Sequence, residues 1–431
     1  MTKRIAVIGG GISGVCTACE LAKDPRLSVD VIERAPRLGG LHRSVCLDGF
    51  AFDVGYFIFN DKHDIFHSFP FLKDHFTQVQ LRQRTITPRG SVDTYPLTIK
   101  TYGQDHGWLG VLYAGLDLAI CRLLYHRRKS VPAYAKYHMG RAVYRNSGIQ
   151  NYLERLYGIS DQDVGIEFAL QRLSYIKNYP IHRMVFQALK GERSPTEHAE
   201  CTYVRPMAGF DAAYAPIQQY LECLGTTVYL NTKVRRVARS EGGFTVSFDS
   251  EVRSYDRVVS TIPIPSMLGL MGANAEVRLE TMNLVSLFYK GIPCCDWTTL
   301  FNFTLSGSWK RITNHSALYR LDGESYLVVE ITTRHTSESQ IEQLKEEFER
   351  HVSDHHVFHK PPRYLGKAVT EHAYPVFRHG DTERVQGERA RLAYLGIDGV
   401  GRQGNFEYLS SSTAAARARR LAKEIRQSMR G

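Results

Sequence analysis

The chain has 431 residues, 43% of them hydrophobic and 23% charged, which is ordinary globular composition and excludes a disordered or fibrous protein. Its length is enough for a sizeable core, in one large unit or about three domains. The formal net charge of +11 indicates an anionic partner, although nucleic acid, anionic lipid and a diphosphate substrate all fit it. The eight cysteines lack the spacing of a disulfide framework and no signal peptide is recognised, so we expect a cytoplasmic protein.

The first forty residues predict a strand, a tight turn and a helix. Ile5–Ile8 is typical of a buried parallel strand, and the pattern from Ile12 to Ala22 is that of a helix. The three positions of a dinucleotide-binding turn are filled by Gly9, Gly11 and Gly14. We expect phosphate groups at the start of the helix, beside Ile12 and Ser13, where free N–H groups and the helix dipole favour negative charge.

A second predicted strand, Ser28–Ile32, is followed by Glu33 and Arg34. A carboxylate at this position accepts hydrogen bonds from ribose hydroxyls and repels a 2′-phosphate, which disfavours an NADP-type ligand. Further along, Arg37-Leu-Gly-Gly40 resembles the R-x-G-G element of flavoproteins of the glutathione-reductase type. This resemblance favours FAD over NAD and adds Gly39 and Gly40 to the candidate cofactor-binding residues.

The next part of the chain changes from strand-like to helical patterns. Leu41–Asp53 predicts a hairpin around Asp48-Gly49. The stretch from Trp108 to Tyr125 is apolar at helical spacing and ends in a basic run at 126–129. We expect it to be too short and too polar to span a bilayer. A helix packed in a substrate domain is the preferred interpretation, and peripheral membrane contact through 108–129 is the alternative. A further helical pattern runs from Ile149 to Ala188.

The remaining sequence predicts these elements: a helix at Asp211–Leu224, strands at Thr227–Leu230, Lys233–Ala238, Phe244–Phe248 and Val258–Pro263, an amphipathic helix at Glu338–Val352, a last strand at Ala393–Gly396 and a closing helix from about Ser411 to Ser428. Together they predict an α/β protein with a discontinuous Rossmann-like FAD-binding domain at 1–94, 200–267 and 366–431. A mainly helical insertion at 95–199 and a β-rich substrate domain at 268–365 interrupt it.

Several segments carry a resemblance to a known superfamily. They are Gly9–Gly14, Glu33, Arg37–Gly40, Lys233-Val234, Ser260–Pro263 and Gly396–Tyr408. This set resembles the FAD-dependent superfamily of amine oxidases, protoporphyrinogen oxidase and UDP-galactopyranose mutase. The segments around Arg311, Tyr374-Pro375 and Gly401–Tyr408 are most similar to the mutase branch.

The resemblance implies roles for individual residues. Arg311 would lie beside the flavin and a sugar diphosphate, and Tyr374 and Tyr408 would donate hydrogen bonds to phosphate oxygens. Val234, Arg402 and Tyr408 join the candidate FAD-binding residues. The implied reaction starts with attack of the reduced flavin N5 on the anomeric carbon, and the flavin undergoes no net redox change.

The chain also departs from the mutase pattern. Phe57 replaces a histidine, and Ser410 and Ser412 replace aspartates. A second, lid-borne arginine has three candidates: Arg172, Arg183 and Arg205. A true FAD oxidoreductase that takes hydride from its substrate therefore stays open, as does a non-catalytic flavin-binding protein. We expect a small anionic substrate, no nucleic acid and no metal site, and leave the oligomeric state open.

Two local sequence patterns, a C-x-x-C motif and a C-terminal basic series, are interpreted as structural and not as functional. Cys16 and Cys19 form a C-x-x-C motif, but both fall on the helix behind the glycine turn, where buried packing is favoured over redox chemistry. A basic series at helical spacing near the C-terminus is interpreted as a solvated helix face: Arg417, Arg419, Arg420, Lys423 and Arg426.

Overall fold

The computed structural model describes residues 2–95, 99–127, 129–167, 170, 201–249 and 251–429. Helices described from end to end are α1 (Ile12–Ala22), α2 (Asp64–Ser68), α3 (Leu72–His75), α4 (Ile99–Leu124), α5 (Val131–Met139), α6 (Arg141–Asn146), α7 (Ile149–Tyr157), α8 (Phe210–Cys223), α9 (Ile264–Leu270), α10 (His315–Tyr319), α11 (Glu338–Asp354), α12 (Asp381–Tyr394), α13 (Gly401–Gly404) and α14 (Ser411–Ser428).

The strands are β1 (Lys3–Ile8), β2 (Leu27–Ile32), β3 (Ser44–Leu47), β4 (Phe50–Asp53), β5 (Phe59–Asn60), β6 (Thr77–Val79), β7 (Gln83–Ile86), β8 (Val92–Thr94), β9 (Thr202–Val204), β10 (Thr227–Tyr229), β11 (Val234–Ser240), β12 (Gly243–Phe248), β13 (Glu251–Tyr255), β14 (Arg257–Ser260), β15 (Thr281–Gly291), β16 (Thr299–Asn302), β17 (Trp309–Asn314), β18 (Ser325–Thr333), β19 (Arg363–Pro375) and β20 (Ile397–Gly399).

A five-stranded parallel sheet of order β10-β2-β1-β14-β20 forms the centre of the nucleotide-binding unit. Its middle strand is buried from Ile5 to Ile8, which explains the unbroken apolar run. Ile8 pairs with Ile32 on one side and with Ser260 on the other. Three strands therefore end at one edge of the sheet, where parallel α/β folds bind their ligands.

A second sheet of seven strands has the order β19-β15-β18-β17-β16-β7-β8. One face packs on α11, whose buried Ile341 and Phe348 join Trp309 in a shared apolar core. The predicted domain boundaries stay predictions, but this sheet takes β7, β8 and most of β19 from outside the predicted range 268–365. Its other face lies against the cavity described below.

Most predicted elements are confirmed, two of them to the residue: α1 at Ile12–Ala22 and α14 at Ser411–Ser428. The predicted strand at Ala393–Gly396 is wrong, because α12 continues to Tyr394 and the last strand begins at Ile397. Gly396, with φ +81°, makes the turn between them.

The predicted helical stretch from Ile149 to Ala188 is interrupted early. The helix α7 ends at Tyr157 on a left-handed Gly158, the usual helix stop. The chain from there to Gly165 is not helical. Most of the remainder of that prediction, 171–188, lies outside the described residues.

Both predictions about the apolar stretch at 108–125 need correction. It belongs to the longer α4, which is kinked at Gly107 (φ 68°, ψ 174°). Tyr102–Leu124 is long and apolar enough to cross a membrane by length and composition, so the stretch is not too short or too polar. It is also not packed inside a domain, because only 22% of its most apolar window is buried.

The C-terminal basic residues are not simply solvated. Arg417 pairs with Glu407, Arg419 with Asp64 and Arg426 with Glu20, while Arg420 is mostly exposed. These ion pairs attach α14 to three other parts of the chain. The interpretation of Cys16 and Cys19 agrees with the structure, since both are buried and burial raises their pKa values to about 12 and about 11.

Gly14→Ala tests the contact between α1 and the turn. A β-carbon at Gly14 would lie 1.9 Å from the carbonyl oxygen of Gly9. We expect the free energy of unfolding to fall by about 3 kcal/mol, because the backbone must move to accept the methyl group. The measurement is chemical denaturation. Gly387→Ala is the control, since no atom lies within 4 Å of that position on α12, and equal stability of both variants would contradict the close contact.

Candidate active site

A cavity of about 1140 Å³ opens where β1, β2 and β14 end and extends to the seven-stranded sheet. The structure brings almost all predicted site residues to its wall: Gly9, Gly11, Ile12, Ser13, Glu33, Arg34, Gly39, Gly40, Val234, Arg311, Tyr374, Arg402 and Tyr408. Gly14 is not on the wall and serves the packing of α1 instead. The other charged residues of the wall are Arg43, Lys233 and Glu371.

Two glycine segments lie in backbone contact at one end of the cavity. Gly39 N donates to Gly10 O at 2.9 Å, and a β-carbon on Gly40 would lie 3.0 Å from the Cα of Gly11. Gly9 and Gly39 have φ of +102° and +124°, which only glycine adopts without strain. A side chain at Gly9 would clash with the Thr261 hydroxyl, and one at Gly39 would clash with the carbonyl oxygen of His42. This bare backbone surface suits the diphosphate of the expected FAD.

Glu33 lies beside this surface and also shapes it. Its Oε2 accepts from Gly10 N at 2.6 Å, and its Oε1 accepts from Ala35 N at 2.8 Å. The carboxylate thus links the glycine turn to the end of β2. Its place on the cavity wall agrees with the predicted contact to ribose hydroxyls. The residues present therefore fit FAD.

A β-bulge on the second sheet brings two cations to one carboxylate. Trp309 pairs with Ile331 and Arg311 with the adjacent Glu330, so Lys310 is the extra residue. Residues two apart on a strand normally share a face, but here Trp309 enters the core while Arg311 reaches the cavity. All three charged side chains are buried.

Glu330 holds both cations. It accepts from Arg311 Nε at 2.5 Å and Nη2 at 2.8 Å, and its Oε2 lies 3.3 Å from Lys310 Nζ. Burial alone would raise the pKa of Glu330, but Arg311 and Lys310 hold it below its ordinary value. Burial lowers the pKa of Lys310 to about 8, against the opposing effect of Glu330. The cluster carries one net positive charge while Lys310 is protonated.

Tyr374 and Tyr408 form a nearly parallel pair, with ring centroids 6.4 Å apart and an interplanar angle of 20°. Lys310 Nζ donates to the Tyr374 hydroxyl at 3.0 Å. The Arg402 guanidinium lies 5.7 Å and 5.8 Å from the two ring centroids. The three predicted catalytic residues thus meet around Lys310, and both tyrosines lie among cations.

Sequence reasoning missed Lys310 and Glu330. Lys310 stands next to Arg311 in the segment that carries the resemblance, but a regular strand would have placed it on the other face. Glu330 offered a clearer signal, because a lone carboxylate inside the apolar run Tyr326–Ile331 must find a partner.

A wall of aromatic rings closes another part of the cavity. Tyr95 stacks on Phe301 at 4.3 Å and on Phe303 at 5.8 Å, and Tyr152 contacts Phe303 at 4.9 Å. All four residues line the cavity. None of the four is among the predicted site residues.

Arg205, one of the three lid-arginine candidates, is not on the wall of this cavity. Arg205 has 0% of its side chain exposed and pairs with Asp53 at 2.8 Å, so it is a structural residue. Arg172 and Arg183 lie outside the described residues. Phe57 does line the cavity and packs edge-on against His42. Burial lowers the pKa of His42 to about 3, so it stays neutral near physiological pH.

Glu33→Ala tests the predicted ribose contact. Charge-assisted hydrogen bonds are worth about 1.5–3 kcal/mol each, so we expect FAD affinity to fall by about ten- to a hundredfold. Flavin occupancy at sub-micromolar protein is the measurement. Glu276→Ala, whose parent side chain is 77% exposed, is the control. Unchanged occupancy in Glu33→Ala would contradict the assignment.

The lowered pKa of Lys310 predicts a pH dependence of stability. Between about pH 8 and the ordinary lysine pKa of 10.5, the unfolded chain binds a proton that the folded chain has lost. The free energy of unfolding therefore gains a contribution that rises with pH across this window, by about 3 kcal/mol at most. Lys310→Met lacks this contribution. Urea denaturation of the wild type and of Lys310→Met at several pH values measures this difference. If the free energies of unfolding of the two proteins changed in parallel with pH, Lys310 would have an ordinary pKa.

The fold of this chain is similar to those of several solved structures. The fold is similar to a crystal structure of reduced UDP-galactopyranose mutase, with a TM-score of 0.79, 16% identity and coverage of 98% of this chain and 95% of that one. It is also similar to an Exiguobacterium protein with a suggested protoporphyrinogen oxidase activity, with a TM-score of 0.73, 17% identity and 99% coverage of both chains.

One curated relative is coproporphyrinogen III oxidase of Staphylococcus aureus, which is 24% identical over 310 residues. That alignment spans 63% of this chain and 63% of the relative. The predicted superfamily and the Rossmann-like fold are confirmed by these likenesses together with a family match. The model of the flavin-containing amine oxidoreductases matches residues 12–280, which is more than half of the chain. The chain belongs to the flavin-containing amine oxidoreductase family and is an FAD-dependent enzyme.

Proposed function

We propose that this enzyme isomerises a nucleotide-linked sugar, or a similar phosphorylated substrate, without net oxidation. When bound, FAD supplies a nucleophile in its reduced form or a hydride acceptor in its oxidised form. The observation that carries the proposal is that one cavity is lined by an aromatic wall, by Arg311 of the buried charged cluster and by a tyrosine pair. These features match the base, the diphosphate and the sugar of such a substrate.

The aromatic wall offers flat surfaces to a base. Tyr95 and Phe303 are inclined by only 12°, and Phe301 and Phe303 by 27°. Stacking of a base on an aromatic side chain is worth about 1–3 kcal/mol. A base held at this wall would keep the rest of the substrate inside the same cavity.

The cationic side of the cavity suits the phosphates. Five cationic side chains and two carboxylates line the wall, namely Arg34, Arg43, Lys233, Arg311 and Arg402 with Glu33 and Glu371. Arg311 stays charged at every working pH, and Lys310 adds a charge that it loses above about pH 8. Tyr374 and Tyr408 contribute phenol hydroxyls, which donate to phosphate oxygens without adding charge. Their role as catalytic residues is part of the proposal.

Net oxidation of the substrate is the second candidate function. Two observations favour it: the family includes oxidases, and Glu330 already occupies two donors of the Arg311 guanidinium. In that reaction a hydride leaves a C–N or C–C bond of the substrate, and the electrons pass to oxygen or another acceptor. The third alternative, a non-catalytic flavin-binding protein, is set aside by the family assignment.

Arg311→Ala tests the contact with phosphate. We expect it to retain FAD, because the glycine turn and Glu33 are untouched, while kcat/KM falls on the order of 30-fold for the loss of about 2 kcal/mol. Flavin content and steady-state rates are measured on the same preparation. Arg350→Ala removes an exposed arginine of α11 and is the control. Equal losses of flavin and activity would place Arg311 in cofactor binding instead.

An anaerobic experiment separates the two functions. The enzyme is reduced with dithionite, candidate nucleotide sugars are supplied, and isomer formation is followed together with the flavin spectrum. The proposal predicts turnover only in the reduced enzyme, with no consumption of reductant or oxygen. Stoichiometric bleaching of oxidised flavin by substrate, or oxygen consumption that tracks product, would establish oxidation.

A further inference from the structure

The second part of α4 presents an apolar face to solvent. Eight large side chains at helical spacing are each more than half exposed: Trp108, Leu109, Leu112, Tyr113, Leu116, Ile120, Leu123 and Leu124. We call these residues the α4 face. Contiguous exposed apolar surface of this kind is rare in soluble monomers and marks a site of interaction. At 1.5 Å per residue the face is about 24 Å long.

The opposite side of α4 is fixed to the protein. Ala114, Leu118 and Cys121 are buried there. The buried Asp117 accepts from Ala142 N of α6 at 2.8 Å and lies 3.9 Å from Arg141. A helix held along one side cannot be surrounded by lipid. The α4 face could therefore enter a bilayer only lengthwise, as interfacial helices do.

The end of α4 adds positive charge to this arrangement. Arg122, His126, Arg127 and Lys129 are exposed at or just beyond its C-terminus. At the other end, Trp108 is 70% exposed, and tryptophan favours the boundary between lipid and water. The chain as a whole carries +11, which also attracts an anionic surface.

We propose that the α4 face docks on a bilayer that contains anionic lipids, with α4 parallel to the membrane plane. The apolar residues enter the boundary of the acyl chains, and the basic end contacts the head groups. The basic end of α4 favours an anionic bilayer over a second copy of the chain, because a second copy would carry the same positive charges and be repelled. The enzyme is then a peripheral membrane protein.

Tryptophan fluorescence tests the proposal in the unmodified holoenzyme. The chain has three tryptophans, and Trp297 and Trp309 are buried at 1% and 0% exposure, so Trp108 alone reports on the surface. The probes are vesicles of phosphatidylcholine alone and of an equimolar mixture with phosphatidylglycerol. We expect a blue shift and quenching by brominated acyl chains with the anionic vesicles. Trp108→Phe should bind them but lose the signal.

Cosedimentation with the same vesicles measures the contributions of the face and of its basic end. We expect Leu112→Glu with Leu116→Glu to weaken binding by at least about tenfold. Arg127→Glu with Lys129→Glu should weaken it on the order of 30-fold, and less at high salt. Val252→Glu, at an exposed valine on another element, and Arg350→Glu are the controls. Flavin content and thermal midpoints of all variants show whether they fold.

Three results would overturn the proposal. One is vesicle binding that the substitutions on the α4 face leave unchanged. Another is a dimer in light scattering that Leu116→Glu dissociates, with no vesicle binding by the wild type, which would make the α4 face an interface between copies. The last is that the variants fail to fold and that brominated lipids do not quench the wild type. This combination would mean that the chain itself covers the α4 face.

Discussion

The seven-stranded sheet depends on one buried carboxylate. Glu330 has 0% of its side chain exposed in a strand of valine, isoleucine and leucine, a position where an unpaired charge costs several kcal/mol. Its two cationic partners are themselves buried, and both depend on this single carboxylate. The bidentate geometry with Arg311 fixes the direction of the guanidinium, and Lys310 occupies the remaining space beside Tyr374. A charged cluster is thereby held rigidly at the wall of the cavity.

The two sheets contribute to the cavity in different ways. The parallel sheet offers backbone, because glycines follow β1 and the first residues of α1 line the cavity, where a helix N-terminus favours phosphate. The seven-stranded sheet offers side chains instead, with aromatic rings at one part of the cavity and cations at another. Small residues on α14, such as Ala415 and Ala418, let it pack closely against α1 and so keep the glycine turn in place. The cofactor end of the cavity is therefore mainly backbone, and the other end is mainly aromatic and charged side chains.

The sequence predicted the structure correctly where a residue type at a given position has a single physical explanation. Glycines at turn positions, an acid after a buried strand and alternating apolar residues led to the correct fold and cofactor, and to the glycines and Glu33 at one end of the cavity wall. It failed where tertiary contacts decide. The pattern of Ala393–Gly396 fits a strand or a helix end, and only the length of α12 settles it. An apolar helix such as α4 does not reveal which of its faces is covered, and the bulge at Lys310 has no sequence signature.

That bulge has a consequence for comparing relatives. One additional residue changes the parity of the strand, so that Trp309 and Arg311 face opposite sides although they are two positions apart. A relative that keeps the tryptophan and the arginine two positions apart but pairs them in a regular strand, without the bulge, must turn one of the two side chains to the wrong side. The bulge is therefore the feature to look for, because an arginine two positions after a core tryptophan in a regular strand would face the core and not the cavity.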